Sequence, residues 1–252
     1  ASPHAVADDI RLGDPEMLHQ GSDVVGHRLI ADRAIDVGGV AVVVDPAIAD
    51  AHSVSLLRIV EGPAVLSLTP ARSAELGIPG GTSVAADDLR ARLADARVAL
   101  NDPDHLFYLG VEAQAALAAS PVHPGARRLT AADADVFARF VAEAPEDDLD
   151  EAFVELDHWL VVGAFDGDRL VAAASAYPWD GTRLADLGVI TLPDARGRGW
   201  ATSVVRGLAA AALELGFEPQ YRCQLDNAPS VALAAAAGFT RFGEWEVVLG
   251  GD

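Results

Sequence analysis

The stretch that decides the fold of this chain is Val189-Ile190-Thr191-Leu192-Pro193-Asp194-Ala195-Arg196-Gly197-Arg198-Gly199-Trp200-Ala201. It begins as an apolar strand, turns at two glycines and continues into a long helical pattern. Such a turn points several backbone N–H groups at one spot, and the helix dipole adds positive charge there. The glycines let the backbone approach an anion closely, and the arginines can bond phosphate oxygens. The stretch predicts a phosphate-binding turn, with a solvated surface turn as the alternative.

The flanking sequence supplies the elements around this turn. Thr130 and Asp133 form a capping-box pattern that begins a helix ending near residue 143. A hairpin is expected at Asp166-Gly167-Asp168. Gly216 and Gly238 follow apolar helical patterns at the position where helices commonly end. The predicted strands are 127–129, 159–165, 170–176, 184–192, 221–225 and 245–249, and the predicted helices are 130–143, 149–156, 201–215 and 227–237.

The first half of the chain carries no catalytic motif. It shows strand patterns at 40–44, 53–60 and 64–68 and a helical pattern at 85–100. Two prolines and a glycine at 120–125 interrupt the patterned regions. We therefore expect an N-terminal α/β domain over residues 1–124 and a second domain over 125–252. The histidines are scattered and none form the i, i+4 pair of a helical zinc site: His4, His19, His27, His52 and His105.

Composition excludes several classes of partner. Acidic residues outnumber basic ones by 38 to 18, a formal charge of −20 that repels nucleic acid and anionic lipid. No apolar run approaches the roughly 18 residues that span a bilayer, and the start of the chain lacks a signal-peptide pattern. Cys223 is the single cysteine, so an intramolecular disulfide and a multi-cysteine metal site are excluded. We expect a cytoplasmic protein without a metal site.

Two motifs resemble those of the GNAT acyltransferase superfamily. The first is Arg196-x-x-Gly199-x-Ala201, which follows a strand and has Pro193 three residues before the arginine. The second is Asn227-Ala-Pro-Ser230, followed by Gly238-Phe239 at the end of the same helix. The order of the surrounding elements fits as well, and the resemblance covers about residues 127–249.

The resemblance implies a mixed, mostly antiparallel sheet flanked by helices, with acetyl-CoA as co-substrate. It implies that the backbone of Val189, Ile190 and Thr191 pairs with the pantetheine arm like an extra strand. Asn227 and Ser230 are placed beside pantetheine, although both residues also suit a helix N-terminus. The pyrophosphate is placed at the turn and the first helical residues, namely Arg196, Gly197, Arg198, Gly199, Trp200, Ala201 and Thr202.

The sequence departs from the family at the residue that often protonates the leaving thiolate. Members often have Tyr four residues before the Gly of Gly-Phe, and this chain has Ala234 there. Attack by an amine also needs a group that accepts its proton. Asp186 is our first candidate, because it lies on the strand that carries pantetheine. Asp157 and His158 are weaker candidates, and Cys223 is interpreted as a core residue.

The residues between the first two helices suggest the type of acceptor. Residues 143–157 hold eight acidic residues and no basic one, and in the family this region borders the acceptor site. The expected reaction is acetyl transfer to a primary, cationic amine by direct attack in a ternary complex. A small-molecule amine, an aminoglycoside-like compound and a protein amine all remain open as acceptors, and a solvated acidic face is the alternative.

Two other functions compete with the enzyme. A non-catalytic acyl-CoA sensor would explain Ala234. A nicotinamide dinucleotide-binding oxidoreductase would use Gly197 and Gly199 with Asp226, although Thr202 stands where a third glycine is expected. The N-terminal half, which could be a degenerate acyltransferase-like domain, is expected to pack on the second domain and help to wall the acceptor pocket.

Overall fold

The computed structural model describes residues 39–119, 125–179 and 182–249. The strands are β1 (Gly39–Val44), β2 (Val54–Ile59), β3 (Ala64–Leu68), β4 (Ser83–Ala85), β5 (Asp104–Leu109), β6 (Ala126–Arg128), β7 (Leu160–Asp166), β8 (Arg169–Pro178), β9 (Leu184–Thr191), β10 (Glu218–Gln224) and β11 (Phe239–Val247). The helices are α1 (Pro70–Leu76), α2 (Ala86–Asp95), α3 (Val111–Ala118), α4 (Ala134–Glu143), α5 (Glu146–Ala152), α6 (Trp200–Glu214) and α7 (Ala228–Ala237). Short 3-10 turns lie at Asp50–His52, Ala131–Asp133 and Pro193–Ala195.

The first compact unit comprises Phe107–Arg222 and Asn227–Thr240. Its strands lie in the order β5-β10-β9-β8-β7-β6. Neighbours from β6 to β9 are antiparallel, whereas β9 and β10 are parallel. The sheet is therefore mixed and mostly antiparallel, as the resemblance implies.

Helices cover both faces of this sheet. Val161 belongs to a buried cluster with Phe137 and Phe140 of α4. The next residue of β7, Val162, faces Gly207 of α6, whose added Cβ would lie 3.4 Å from it. Successive strand residues point to opposite faces, so α4 and α6 lie on opposite sides of the sheet.

The second compact unit comprises residues 39–106, Cys223–Asp226 and 241–249. Its strands lie in the order β4-β1-β3-β2-β11. The β1–β3 pair is parallel, and the β1–β4, β2–β3 and β2–β11 pairs are antiparallel. A core of its own joins Leu76 of α1 and Leu89 of α2 to the apolar face of β1, β2 and β3. None of the helices in the described part of the chain combines the length and the apolarity needed to cross a bilayer.

Most of the predicted elements are confirmed, including the hairpin at Gly167 and the capping box of Thr130 and Asp133. The helix predicted at 149–156 was wrong in position: α5 begins directly after Pro145, where three acidic residues favour a helix start, and ends at Ala152. The helix predicted at 85–100 ends at Asp95. The sequence reading also missed α1, α3, β4 and β5. His4, His19, His27 and the predicted linker at 120–124 lie outside the described residues.

Candidate active site

The glycine turn opens onto the N-terminus of the longest helix of the unit. Gly197 and Gly199 have φ of +74° and +81°, values that L-residues with a side chain rarely adopt, and a Cβ at either position would meet no atom of the described residues within 4 Å. Backbone conformation rather than crowding therefore favours glycine here. Gly199 is the N-cap of α6, no side chain among the described residues caps the helix, and its first turn holds no acidic residue. The first N–H groups of α6 face an open, positively polarised space.

Ion pairs with the neighbouring elements hold the arginines of this turn. Arg196 donates from Nε to the Thr191 carbonyl oxygen at 3.2 Å, and its guanidinium also bonds the Asp148 carboxylate of α5. Arg198 pairs with Asp166 at 3.5 Å. Both arginine side chains are more than half exposed. They lie at the rim of the turn, where each can exchange a carboxylate partner for a phosphate oxygen.

The two parallel strands beside the turn stop pairing before they end. The ladder between β9 and β10 runs from Leu184 opposite Glu218 to Leu187 opposite Tyr221. β9 then continues to Thr191, and its later residues pair only with β8 on the other side among the described residues. The β10-facing backbone edge of Val189, Ile190 and Thr191 is therefore not used by a neighbouring strand. It can accept an extended ligand in the manner of an added strand.

The observations at this place fit the pantetheine and pyrophosphate groups of acetyl-CoA. An unpaired parallel edge leads to a glycine turn whose surroundings are open. Two hydroxyl oxygens nearby, Thr191 Oγ1 and Ser203 Oγ, are buried without a hydrogen-bond partner within the described ranges. The glycine turn and the start of α6 together offer hydrogen-bond donors, the positive end of a helix dipole and uncrowded backbone, and this combination suits a doubly charged phosphate group. Ala201 and Thr202 lie in the first turn of α6, and Trp200 is its first residue.

Helix α7 begins and ends as the second motif predicts. Asn227 is its N-cap and accepts from the Ser230 N–H at 3.1 Å, and Gly238 ends it with φ of +101°. The Ser230 hydroxyl lies 2.8 Å from the hydroxyl of Tyr221, on β10. Ala234 is fully buried, and its methyl side chain offers no hydroxyl at this position of α7. Asn227 thus caps α7, with Ser230 supplying the backbone N–H that it accepts from, while the contact of both residues with pantetheine stays a prediction.

Asp186 lies at the centre of a hydrogen-bonded row across four strands. It is 4% exposed and stands opposite Tyr177 on β8 and Gln220 on β10. Its carboxylate accepts from the Tyr177 hydroxyl at 3.2 Å, from Gln220 Nε2 at 3.0 Å and from Arg222 at 3.0 Å. Tyr108 of β5 extends the row by donating to Gln220 Oε1. Asp186 is therefore a buried carboxylate with three donors rather than an outward, solvated one.

An aromatic group lies beside this row. The His158 ring centroid is 5.2 Å from that of Tyr177, and Phe153 lies 4.9 Å from His158 and 5.8 Å from Tyr177. His158 Nδ1 is 2.8 Å from the Ser175 hydroxyl, and its Nε2 is 3.7 Å from the Glu155 carboxylate. The structure thus brings His158 next to Asp186 through Tyr177.

Burial shifts the protonation of several groups in this sheet. Burial, with the Asp186 charge as the second cause, raises the pKa of Tyr177 to about 12, so its hydroxyl keeps its proton at neutral pH. Burial also raises the pKa of Tyr108 well above its ordinary range. The carboxyl of Glu218, at the start of β10, has a pKa raised by burial to about 8, which bonds from Gln114 Nε2 at 3.1 Å offset only in part. These groups act as hydrogen-bond donors or neutral acids near pH 7.

Sequence reasoning missed several residues of this site. Tyr177 and Gln220 lie one residue outside the predicted strands 170–176 and 221–225, and Arg222 lies within the second, where it looks like an ordinary strand residue. Tyr108 belongs to β5, which was not predicted. These side chains come together only through the register of neighbouring strands, and a single sequence does not specify that register.

One family model and several solved structures are similar to this chain. The model of the acetyltransferase (GNAT) family matches residues 127–239. A GNAT-family acetyltransferase structure from Novosphingobium aromaticivorans shares 22% identity with a TM-score of 0.44, covering 62% of this chain and 68% of that one. One from Colwellia psychrerythraea shares 18% with a TM-score of 0.46, covering 71% and 70%. A GCN5-related N-acetyltransferase-like protein from Streptococcus suis shares 16% with a TM-score of 0.43, covering 82% and 87%.

No curated protein matches the chain significantly. The family model spans β9 with Asp186, the glycine turn, α6 and the Gly238-Phe239 end of α7. The mixed, mostly antiparallel sheet around it also differs from the parallel sheet of a dinucleotide-binding fold. Residues 127–239 of this chain are therefore similar to the GNAT acetyltransferase family.

Proposed function

We propose that this protein is an acetyl-CoA-dependent N-acetyltransferase that moves an acetyl group to a primary amine. The observation that carries the proposal is the continuous path from the unpaired edge of β9, through the glycine turn, to the uncapped start of α6. Bound acetyl-CoA supplies an activated acyl group and a thiolate leaving group. The chain holds it through the backbone of 189–191 and the turn residues 196–202, with Asn227 and Ser230 on the other side.

Asp186 is the residue that receives the proton of the acceptor amine. Its three donors leave little room for direct contact, so the proton travels through Tyr177, whose hydroxyl already donates to Asp186. As the Tyr177 oxygen takes a proton from the attacking nitrogen, its own proton passes to the Asp186 carboxylate, and the phenol is neutral before and after. The raised pKa of Tyr177 keeps the hydroxyl protonated and ready for this exchange at neutral pH.

The acceptor is a cationic amine. The helix α5 carries Glu146, Asp147 and Asp148 in its first turn, and Glu155 follows it near His158. This acidic segment raises the local concentration of ammonium groups by electrostatic attraction. A small-molecule amine and a protein amine both satisfy this requirement.

Release of CoA thiol on addition of acetyl-CoA and a panel of primary amines tests the proposal. We expect turnover with at least one amine, product mass increased by one acetyl group, and saturation by both substrates in an intersecting pattern that indicates a ternary complex. Failure of acetyl-CoA to bind in calorimetry would refute both catalysis and the cofactor assignment.

A non-catalytic acyl-CoA sensor is the second candidate, and the buried Ala234 favours it. The sensor would bind acetyl-CoA with the same residues yet release no thiol with any amine. Binding without turnover therefore selects the sensor, and binding with turnover selects the enzyme.

A further inference from the structure

Phe153 occupies a backbone conformation that does not suit it. Its φ of 45° and ψ of 54° place it in the left-handed region, where a bulky side chain is strained. The side chain is nevertheless 52% exposed, so burial of the ring does not explain the choice of phenylalanine. Strained residues persist where the surrounding structure imposes them, and they cluster at functional sites.

The position of Phe153 is fixed by close packing at its own N-terminal side. The Ala152 carbonyl oxygen would lie 1.9 Å from a Cβ on Gly188, so the end of α5 lies directly on β9. Gly188 lies two residues after Asp186 and directly before Val189, the first residue of the predicted pantetheine edge. Phe153 thus stands over the part of β9 between the proposed proton acceptor and the proposed cofactor edge.

The ring of Phe153 joins two other rings at this place. It meets His158 and Tyr177 edge-on, and the Tyr177 hydroxyl bonds Asp186. Glu155 adds a negative charge near His158. We call the three rings of Phe153, His158 and Tyr177 the ring cluster. Phe153 is its apolar, half-exposed part, Tyr177 connects it to the buried Asp186 row, and Glu155 places a negative charge at its edge.

We propose that this ring cluster is the acceptor-specificity site and that it selects primary amines carrying an aromatic or similarly apolar group a few carbons from the nitrogen. The inference rests on the proposed function. The ammonium is attracted by the acids and by the ring faces, and the apolar group covers the exposed part of Phe153. Compact polar amines gain the charge attraction alone.

The test compares 2-phenylethylamine with ethanolamine, two primary amines of similar basicity. We expect the wild type to favour 2-phenylethylamine in kcat/KM by at least about tenfold, the discrimination that an apolar pocket gives for one small apolar group. Phe153→Asn removes the ring while suiting the left-handed backbone. It should reduce the preference to less than about threefold while leaving Tm and acetyl-CoA affinity close to wild type. Phe153→Tyr should keep the preference.

The outcomes separate this inference from the proposed function. Turnover of both amines without preference, or a preference unchanged in Phe153→Asn, overturns the specificity site and leaves the acetyltransferase standing. If no amine turns over, calorimetric titration of 2-phenylethylamine into the CoA-saturated protein decides the matter. Binding that weakens in Phe153→Asn and persists in Phe153→Tyr supports the site, and absence of binding overturns it.

Discussion

The Ala152 carbonyl oxygen lies against Gly188 so closely that a Cβ added at position 188 would stand 1.9 Å from it. The obstacle is backbone, which cannot rotate away as the end of a flexible side chain can. Glycine at 188 is therefore a condition for seating α5 on β9. This contact holds Phe153 and the acidic segment beside the strand that carries Asp186.

Gly188→Ala should displace the end of α5 and disturb the proposed acceptor side. We expect a loss of about 1–3 kcal/mol in the free energy of unfolding, typical of overpacking, together with a raised KM for the amine. Urea denaturation and steady-state kinetics measure the two effects. Unaltered stability and amine KM would show that α5 can move without consequence.

Gly207→Ala is the matched control for that substitution. Its Cβ would meet only Val162 Cγ1 at 3.4 Å, an ordinary contact, and the site lies within α6. Replacing a helical glycine by alanine stabilises by about 0.5–1 kcal/mol. The two glycine-to-alanine changes should therefore alter stability in opposite directions.

Gly199→Asp should weaken acetyl-CoA binding without unfolding the domain. Its Cβ would meet nothing within 4 Å, and Asp tolerates positive φ and caps a helix well. The added carboxylate would stand where the pyrophosphate is proposed, so we expect the Kd to rise at least about tenfold, or ~1.4 kcal/mol. Isothermal calorimetry measures this change.

Gly199→Asn has nearly the same shape and no charge, and it separates repulsion from crowding. It should weaken binding less than Gly199→Asp does, and the difference should shrink at high salt. If Gly199→Asp and the wild type bound acetyl-CoA with equal affinity, the pyrophosphate would not lie at this turn.

Asp186→Asn should lower kcat, because the asparagine cannot take the proton relayed by Tyr177. We expect a decrease of about 10²–10⁴-fold, the usual contribution of general base catalysis. The Kd for acetyl-CoA should change little. Tyr177→Phe breaks the same relay and should have a similar effect, whereas unchanged kcat and pH profile in both variants would exclude this route.

The sequence predicts the structural elements on the proposed cofactor side better than those on the proposed acceptor side. The glycine turn and both ends of α7 are local, since Gly197, Gly199, Asn227 and Gly238 act on backbone within one turn of themselves. Local backbone chemistry is readable from a single sequence.

The acceptor side depends on contacts between distant residues. Tyr108 and Gln220 are 112 positions apart in the chain, and their hydrogen bond exists only because β5 and β10 are neighbours. α5 begins at Glu146, directly after Pro145, and so starts earlier than the predicted helix 149–156. That shift concealed the strained Phe153 at its end.

The last prediction concerns the buried carboxyl of Glu218, which is 3% exposed. Burial raises its pKa from 4.5 to about 8, so between these values the folded state holds a proton that the unfolded state has released. Stability therefore falls as pH rises from about 4.5 to about 8, and that loss is complete above pH 8.

Glu218→Gln stays neutral and can still accept from Gln114. Its Tm should lie near that of the wild type at pH 5 and exceed it at pH 9 by several degrees, at about 2–4 °C for each kcal/mol. Glu214→Gln, an exposed change at the end of α6, should show no such growth between the two pH values. Parallel Tm curves for wild type and Glu218→Gln from pH 5 to pH 9 would mean that the carboxyl ionises normally in the folded protein.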